Sequence, residues 1–288
     1  ADVPADCATL VDNAALRARL ADVALPVRRF VQVPRNASDA AAGYMHAAVY
    51  QPPDFDAARR YAVLINVYGG PGSQAVLRNF DAVSFDAVLA SDERQPLVIV
   101  KADGRGTRGR GDAYMKAVYG RLGLDEVADQ AAVARWLAAQ PWVDPNRIAI
   151  WGWSYGGLMA LNALADVGAR DAFACAVSVA PVTDWALYDT AYTERYMNTP
   201  QANAAGYAAT SLLERAANVR NDTLLIVHGS GDDNVHYQNT AEMARRLTAH
   251  ETRFEQRIFF NRDHSIVGHG ARESLYELIT RFLHKRLA

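Results

Sequence analysis

Cysteine is nearly absent from this sequence. Cys7 and Cys175 are the only two among 288 residues, too few for the disulfide framework of a small secreted scaffold. Cys175 lies in the apolar run from residue 173 to 179 and is predicted to be a small core residue. Cys7 lies in a polar leader and is predicted to be a free thiol. A hydrophobic core must therefore hold the fold, and half of the residues are hydrophobic.

An excess of charge and a long apolar run are also missing. The chain has 30 Lys and Arg against 32 Asp and Glu, so it lacks the basic surplus typical of proteins that bind polyanions. Arg105, Arg108 and Arg110 form a local basic loop, but no aromatic residues are interleaved with them as in a single-strand binder. No segment is long and apolar enough to cross a bilayer. We therefore expect neither a nucleic-acid partner nor a membrane span.

Buried strands alternate with helices from residue 61 onward, which predicts a parallel, doubly wound sheet of the α/β class. Strands are expected at 61–68, 97–102, 148–153, 173–179, 223–228 and 254–260, and helices at 13–20, 124–139, 238–248 and 273–287. Residues 28–33 and 44–50 alternate in polarity and predict an antiparallel pair at the N-terminal edge of the sheet. We expect one domain over residues 1–288, with residues 1–27 as a lead-in.

A serine between two glycines follows the predicted strand at residue 148. The segment Gly152-Trp-Ser154-Tyr-Gly156 passes at once into an alanine- and leucine-rich helix. This is the pattern of a nucleophile elbow, in which small residues allow a sharp turn and the serine hydroxyl is exposed at its apex. The motif by itself is equally consistent with a Gly-Ser turn in any α/β protein.

A nucleophilic serine needs a base and an acid that orients the base. In α/β-hydrolases these follow the serine in the order acid, then histidine. The strand ending at His228 is followed by Asp232 and Asp233, and the strand ending at Phe260 is followed by His264. Either acid fits the chemistry, although an acid here could merely form a turn and the histidine could be an ordinary loop residue.

A serine hydrolase also needs two hydrogen-bond donors for the oxyanion. The backbone N–H of Tyr155, directly after Ser154, is expected to be one of them. The second should come from the loop after the strand at residue 61, where Pro71 lacks an N–H. The Tyr68 hydroxyl is therefore a candidate for the second donor.

Two other patterns resemble cofactor sites. Residues 104–109 match G-x-G-x-x-G after a buried strand, but Gly111 follows where a dinucleotide site requires a helix. We predict a flexible, arginine-bearing loop there. His228, Asp232, Asp233 and His236 could be metal ligands, but they match no short ligand motif, and His228 is predicted to be a packed, hydrogen-bonded histidine. We therefore expect no cofactor and no metal.

Several segments together resemble the catalytic domain of the prolyl oligopeptidase family, in its dipeptidyl peptidase branch. They extend in the family's order from about residue 60 to the C-terminus. The matching segments are Val67-Tyr-Gly-Gly-Pro-Gly-Ser-Gln74, Asp103-Gly-Arg-Gly106, Arg147 to Gly157, Tyr188 to Met197, His228 to His236 and Asp263-His264.

The resemblance implies an α/β-hydrolase fold with Ser154, Asp232 and His264 as the catalytic triad, and it favours Asp232 over Asp233. It implies the Tyr68 hydroxyl and the Tyr155 backbone as oxyanion donors. It further implies a substrate pocket sized for proline or alanine, with Asn234 donating to a substrate carbonyl. The residues implied to line that pocket are Tyr155, Val182, Trp185, Tyr188, Tyr192 and Val235.

These observations predict a serine peptidase that cleaves after proline or alanine and releases N-terminal dipeptides. The alternatives are a broad aminopeptidase or ester hydrolase on the same fold, and a non-enzymatic interaction domain. In the family, a β-propeller supplies paired glutamates that hold the substrate amine, and this sequence offers no such pair. The chain is therefore expected to be either part of a longer enzyme or a stand-alone relative with an open site.

Two further expectations concern assembly and location. Relatives often pair through the C-terminal region of the hydrolase domain, so a homodimer is expected. The start Ala1-Asp-Val-Pro4 would suit a terminus left by signal-peptide removal, which favours a periplasmic or secreted location over a cytoplasmic one.

Overall fold

The structure is a computed structural model that describes residues 8–39, 41, 43–80 and 83–288. Cys7 and the Ala1–Pro4 segment lie outside the described residues, so the predictions made for them stay predictions. Cys175 is fully buried in the core, as expected.

One sheet of eight strands forms the centre of the molecule. Its strands are β1 Val27–Pro34, β2 Tyr44–Gln51, β3 Tyr61–Asn66, β4 Val98–Asp103, β5 Val143–Trp153, β6 Cys175–Val179, β7 Leu224–Gly229 and β8 Glu255–Phe259. The spatial order is β1-β2-β4-β3-β5-β6-β7-β8. The β1–β2 and β2–β4 pairs are antiparallel and all the others are parallel. The predicted mostly parallel sheet with an antiparallel N-terminal edge, the α/β-hydrolase arrangement, is confirmed.

The helices cover both faces of this sheet. They are α1 Ala14–Leu20, α2 Phe85–Ala90, α3 Asp112–Lys116, α4 Leu124–Ala138, α5 Tyr155–Ala165, α6 Thr190–Met197, α7 Ala204–Thr210, α8 Gln238–Ala249 and α9 Ala271–Arg286. The four helices predicted outside the elbow are present within two residues of their expected bounds. Four short helices, α2, α3, α6 and α7, were not predicted, because five to eight residues are too few to show a clear helical period.

Side chains on the two faces of the strands form two apolar layers. On one face Val63, Ile65 and Ile150 pack against α4, α5 and α8. On the other face Leu64 and Ala149 pack against α2 and α9. This burial on both faces explains why the parallel strands are continuously apolar.

The start of β5 is less regular than predicted. Residues 144–147, which precede the strand predicted at 148–153, lie within β5. The pairing with β3 shifts there from Tyr61↔Val143 to Val63↔Ile148, so the additional residues of β5 form a bulge. The Asp144 carboxylate stabilises the bulge by accepting hydrogen bonds from Asn146 N and Arg147 Nε at 3.0 and 2.8 Å.

Among the helices of the described residues, none combines the length and the apolar composition that a membrane crossing requires.

Candidate active site

Ser154 lies at the turn between β5 and α5 with an unusual backbone conformation. Its φ is 63° and its ψ is −118°, a region that costs free energy for any residue with a Cβ. Its N–H donates to Val179 O on β6 at 2.8 Å, and its carbonyl accepts from Leu158 N at 2.9 Å. The turn is therefore fixed on one side by the sheet and on the other by the first turn of the helix.

Three glycines allow this turn to pack against neighbouring strands. A Cβ on Gly156 would lie 2.2 Å from Val67 O, and one on Gly152 would lie 2.4 Å from the same oxygen. A Cβ on Gly157 would lie 2.4 Å from Val179 O. Because real Cβ atoms do not approach backbone oxygen so closely, glycine is required at all three positions.

Asp232 and His264 lie together at the same edge of the sheet, on the loops that follow β7 and β8. His264 Nδ1 is 2.7 Å from Asp232 Oδ2. The other carboxylate oxygen, Oδ1, accepts from the backbone N–H groups of Asn234 and Val235 at 3.0 and 2.9 Å. Asp232 is buried, whereas Asp233 is exposed, so the structure brings Asp232 and not Asp233 to the histidine.

A second histidine lies against the same carboxylate. His228 Nε2 is 3.2 Å from Asp232 Oδ2 and 2.8 Å from Val235 O, while its Nδ1 is 2.7 Å from Thr240 Oγ1. Burial alone would raise the pKa of Asp232, but the hydrogen bonds from His228, His264 and Asn234 outweigh it and hold the pKa well below its usual value. Asp232 is therefore ionised, and the prediction of a packed, hydrogen-bonded His228 is confirmed.

The residue before Ser154 connects the elbow to the histidine loop. Trp153 Nε1 donates to His264 O at 2.9 Å, and the Arg272 guanidinium lies 4.8 Å from the Trp153 ring centre. Arg272 also donates to Ser265 O. These contacts place the His264 loop beside the elbow, so the three residues predicted as a triad converge on one edge of the sheet.

The two predicted oxyanion residues are neighbours. The ring centres of Tyr68 and Tyr155 are 6.0 Å apart. Burial and, to a smaller degree, the nearby Tyr196 raise the pKa of Tyr68, so its hydroxyl remains a donor at neutral pH. The Tyr155 side chain is buried, and its hydroxyl donates to Glu126 Oε1 at 2.6 Å.

The predicted pocket residues form a continuous aromatic cluster next to Tyr155. The Trp185 ring centre is 5.7 Å from Tyr155 and 6.2 Å from Tyr192, and Tyr188 is 5.4 Å from Tyr192. The Tyr188 hydroxyl donates to Asn234 Oδ1 at 2.8 Å, and Asn234 is exposed.

Burial differs among the predicted pocket residues. Val182, Trp185 and Val235 are at most 2% exposed, whereas Tyr188 and Tyr192 are half-buried. Tyr188 and Tyr192 are therefore the members of the set that offer surface to a ligand. The substrate role of the whole set stays a prediction.

The predicted flexible loop at residues 104–109 is extensively bonded. Arg105 Nη2 lies 2.7 Å from Asp129 Oδ1, and Arg105 Nη1 lies 2.8 Å from Asp125 Oδ1. Gly106 O accepts from Gly72 N at 2.9 Å. The glycine pattern alone gave no indication of these contacts with the two acids of α4.

Glu126 was also missed as a member of the site, since an acid in the first turn of a helix is favoured by the helix dipole and need have no other role. Helical spacing places Glu126, Gln130, Val133 and Leu137 along one side of α4, and all four are buried. That periodicity could have indicated an inward-facing carboxylate.

In the part of the chain that the structure describes, no group of three or more His, Cys, Asp or Glu side chains is arranged to hold a metal ion.

Known proteins are similar to this chain in sequence and in structure. Residues 83–288 match the sequence profile of the prolyl oligopeptidase family. The chain is 40% identical over 273 residues to a probable dipeptidyl-aminopeptidase B of Emericella nidulans. The match covers 94% of this chain and 29% of that protein. A probable dipeptidyl-aminopeptidase B of Grosmannia clavigera is likewise 40% identical, over 95% of this chain and 28% of the relative. The chain thus spans less than a third of the length of these curated relatives.

Solved structures agree. The crystal structure of Porphyromonas gingivalis dipeptidyl peptidase 4 is similar with a TM-score of 0.90 and 40% identity, over 97% of this chain and 38% of that one. A putative dipeptidyl aminopeptidase IV from Bacteroides ovatus gives a TM-score of 0.84 and 30% identity, over 93% of this chain and 37% of that one.

The glycine packing at the elbow predicts a large effect of a single methyl group. Gly156→Ala should reduce the free energy of unfolding by more than about 4 kcal/mol or prevent folding, because the methyl would overlap Val67 O. Denaturant unfolding monitored by near-UV circular dichroism measures this. Gly111→Ala is the control, since a Cβ there meets nothing within 4 Å; its positive φ should cost about 1–2 kcal/mol. Equal effects at the two positions would refute the packing interpretation.

The buried Glu126 predicts a pH-dependent stability. Burial raises the pKa of Glu126 from 4.5 to about 7, although the hydrogen bond from Tyr155 opposes the shift. Between these values the unfolded chain has lost a proton that the folded chain keeps, so stability falls as pH rises. From pH 5 to pH 7 the unfolding free energy of wild type should therefore fall by about 1.4 kcal/mol per pH unit relative to that of Glu126→Gln. Urea unfolding across this range tests it, and a difference that does not change with pH would contradict it.

Proposed function

The chain belongs to the prolyl oligopeptidase family, and on that premise we propose that it forms the catalytic domain of a serine dipeptidyl peptidase. The observation that carries the proposal is the contact of 2.7 Å between Asp232 Oδ2 and His264 Nδ1 beside the Ser154 elbow. Relatives named dipeptidyl-aminopeptidase and dipeptidyl peptidase match nearly the whole of this chain. The substrate is accordingly proposed to be a peptide.

Each member of the proposed triad has a role in the reaction that these contacts support. Asp232, ionised and held by backbone N–H groups, accepts a hydrogen bond from His264 Nδ1–H and so leaves Nε2 free to act as a base. His264 Nε2 takes the proton of the Ser154 hydroxyl as Oγ attacks the carbonyl carbon of the substrate. The same nitrogen then protonates the leaving amine, and the acyl group stays on Ser154.

Deacylation repeats these steps with water. His264 takes a proton from a water molecule that attacks the acyl carbon, and it returns the proton to Ser154 Oγ when the acid is released. During both attacks the carbonyl oxygen becomes an oxyanion. The backbone N–H of Tyr155 and the hydroxyl of Tyr68 are the proposed donors to it.

The aromatic cluster accounts for the proposed preference. A proline ring is flat and rigid, so it buries apolar area against the half-buried rings of Tyr188 and Tyr192 with little loss of conformational entropy. The buried layer formed by Val182, Trp185 and Val235 limits the depth of the site to a small residue such as alanine or proline. The amide N–H₂ of the exposed Asn234 is the proposed donor to a substrate carbonyl.

Release of dipeptides requires a group that anchors the free substrate amine. The family resemblance assigns this task to paired glutamates of a β-propeller, and these 288 residues offer no such pair. Because the aligned relatives are much longer than this chain, we propose that a further domain covers the site and supplies the anchor.

Three substrates distinguish the proposal from its alternatives. A Gly-Pro anilide with a free amine should be hydrolysed faster than the same anilide with a blocked amine, and faster than a short-chain nitrophenyl ester. Ser154→Ala should reduce anilide turnover by about 10⁴-fold or more, because the nucleophile is lost. Steady-state absorbance assays of the purified full-length enzyme, with the proposed covering domain present, measure these rates.

Each contrary pattern identifies another function. Cleavage of the ester alone would indicate an ester hydrolase, and equal use of anilides with other residues before the scissile bond would indicate a broad aminopeptidase. Unchanged turnover in Ser154→Ala would exclude the proposed mechanism. A folded protein that turns over none of the three substrates would favour an interaction domain.

A further inference from the structure

A buried carboxylate lies behind the proposed oxyanion site. Glu126 is 2% exposed, and its Oε1 accepts a hydrogen bond of 2.6 Å from the Tyr155 hydroxyl. Tyr155 is the residue whose backbone N–H is proposed to bind the oxyanion. The proposed reaction uses the N–H of Tyr155 and assigns no part to Glu126.

The other oxygen of this carboxylate ties Glu126 to the start of its own helix. Glu126 Oε2 accepts from Gly123 N at 2.9 Å, and Gly123 O accepts from Asn162 Nδ2 at 2.7 Å. The beginning of α4 is thus joined to α5 at two points, Tyr155 in its first turn and Asn162 two turns later. Each oxygen of the Glu126 side chain thus accepts one hydrogen bond, from Tyr155 and from Gly123.

Close packing transmits the position of the Tyr155 ring to Tyr68. A Cβ on Gly70 would lie 2.8 Å from Tyr68 Cε1 and 3.2 Å from Tyr155 Cγ, so this backbone lies tightly against both rings. On its other side the Tyr155 ring contacts Trp185, with ring centres 5.7 Å apart. A Tyr155 ring that shifted would therefore press on the loop that carries Tyr68.

A second connection runs from the same helix to that loop. Asp129 Oδ2 on α4 accepts from the backbone N–H of Arg105 at 2.7 Å, and the adjacent Gly106 O accepts from Gly72 N at 2.9 Å. Gly72 lies four residues after Tyr68. The first turns of α4 thus reach Tyr155 directly and the Tyr68 loop through Arg105 and Gly106.

We propose that Glu126 is a positioning residue that fixes the Tyr155 N–H and, through the packed rings, the Tyr68 hydroxyl as donors to the oxyanion. This inference rests on the proposed peptidase function. Oxyanion donors act only where the charge develops, so their displacement lowers kcat more than it raises KM. Glu126 touches neither the substrate nor the reacting atoms, and it acts through Tyr155.

Two substitutions each disrupt the hydrogen bond between Tyr155 and Glu126 in a different way, Glu126→Gln and Tyr155→Phe. Glutamine keeps the shape but has one acceptor oxygen for two donors, and phenylalanine removes the donor hydroxyl. Each variant should lower kcat for a Gly-Pro anilide by about 10-fold or more, while KM changes by less than about 3-fold. Because both substitutions break one contact, the double variant should be about as slow as the slower single variant.

Tyr207→Phe is the matched control. The hydroxyl of this buried tyrosine donates to Asn198 O at 2.8 Å, on the residue that follows α6 and not on the elbow. It should lose stability comparable to Tyr155→Phe in thermal unfolding but keep the kcat of wild type. Should Glu126→Gln fail to fold, the comparison of Tyr155→Phe with Tyr207→Phe still decides the matter.

Several results would overturn the inference. They are a wild-type kcat in Tyr155→Phe, a rise in KM with unchanged kcat, an equal fall of kcat in Tyr207→Phe, and fully additive losses in the double variant. The Ser154→Ala variant distinguishes a failure of the role inferred for Glu126 from a failure of the proposed peptidase function. If Ser154→Ala is inactive while Tyr155→Phe is fully active, only the role of Glu126 is refuted.

Discussion

Three glycines of the elbow pack against backbone carbonyls of the segments on either side of β5. This packing determines where the other parts of the site lie. Val67 O is opposite Gly152 and Gly156, and Val179 O is opposite Gly157. The residue after Val67 is Tyr68, and the segment after Val179 leads to Val182 and Trp185. Packing three backbones together without side chains thus brings the nucleophile, a candidate oxyanion donor and the pocket wall to one point.

The strained backbone of Ser154 is stabilised by the same packing. Its N–H and C=O both have partners, one on β6 and one within α5, so the positive φ is compensated by hydrogen bonds and by a fully buried helix. Every residue of α5 is buried. The rigid scaffold around the turn keeps the hydroxyl in place without a contribution from the serine side chain itself.

Two buried carboxylates in the site have pKa values that are shifted in opposite directions. Asp232 is surrounded by two histidines and two backbone N–H groups, and these hold its pKa low although it is buried. Glu126 accepts hydrogen bonds from two neutral donors, and burial raises its pKa to about 7. The number and charge of donors, and not depth alone, therefore decides which acid is a permanent anion.

The sequence was sufficient for the parts of the structure that depend on local pattern. Continuous apolar strands predicted the parallel sheet, and the elbow motif predicted the strand, turn and helix around Ser154. Asp232 and His264 could be placed near it because both follow strands whose ends meet at one edge of a parallel sheet. The family resemblance selected Asp232 over Asp233, which the chemistry of the residues alone did not.

Contacts between distant elements were beyond this reasoning. The pairing of Arg105 with Asp129 and of Tyr155 with Glu126 joins residues 24 and 29 positions apart, and no local pattern specifies such pairs. The helix α6, which carries Tyr192, has only eight residues, so its tertiary packing outweighs its weak periodicity. Sequence therefore indicated the reacting groups, and the structure was needed to show what positions them.

The central claim is that Ser154 is the activated nucleophile, and covalent labelling tests it most directly. The folded protein is treated with a fluorophosphonate probe and digested, and the adduct is located by peptide mass spectrometry. The account predicts a single adduct on Ser154, with none in a sample unfolded before treatment. A folded sample in which Ser154 remains unmodified, or in which another residue carries the label, would contradict it.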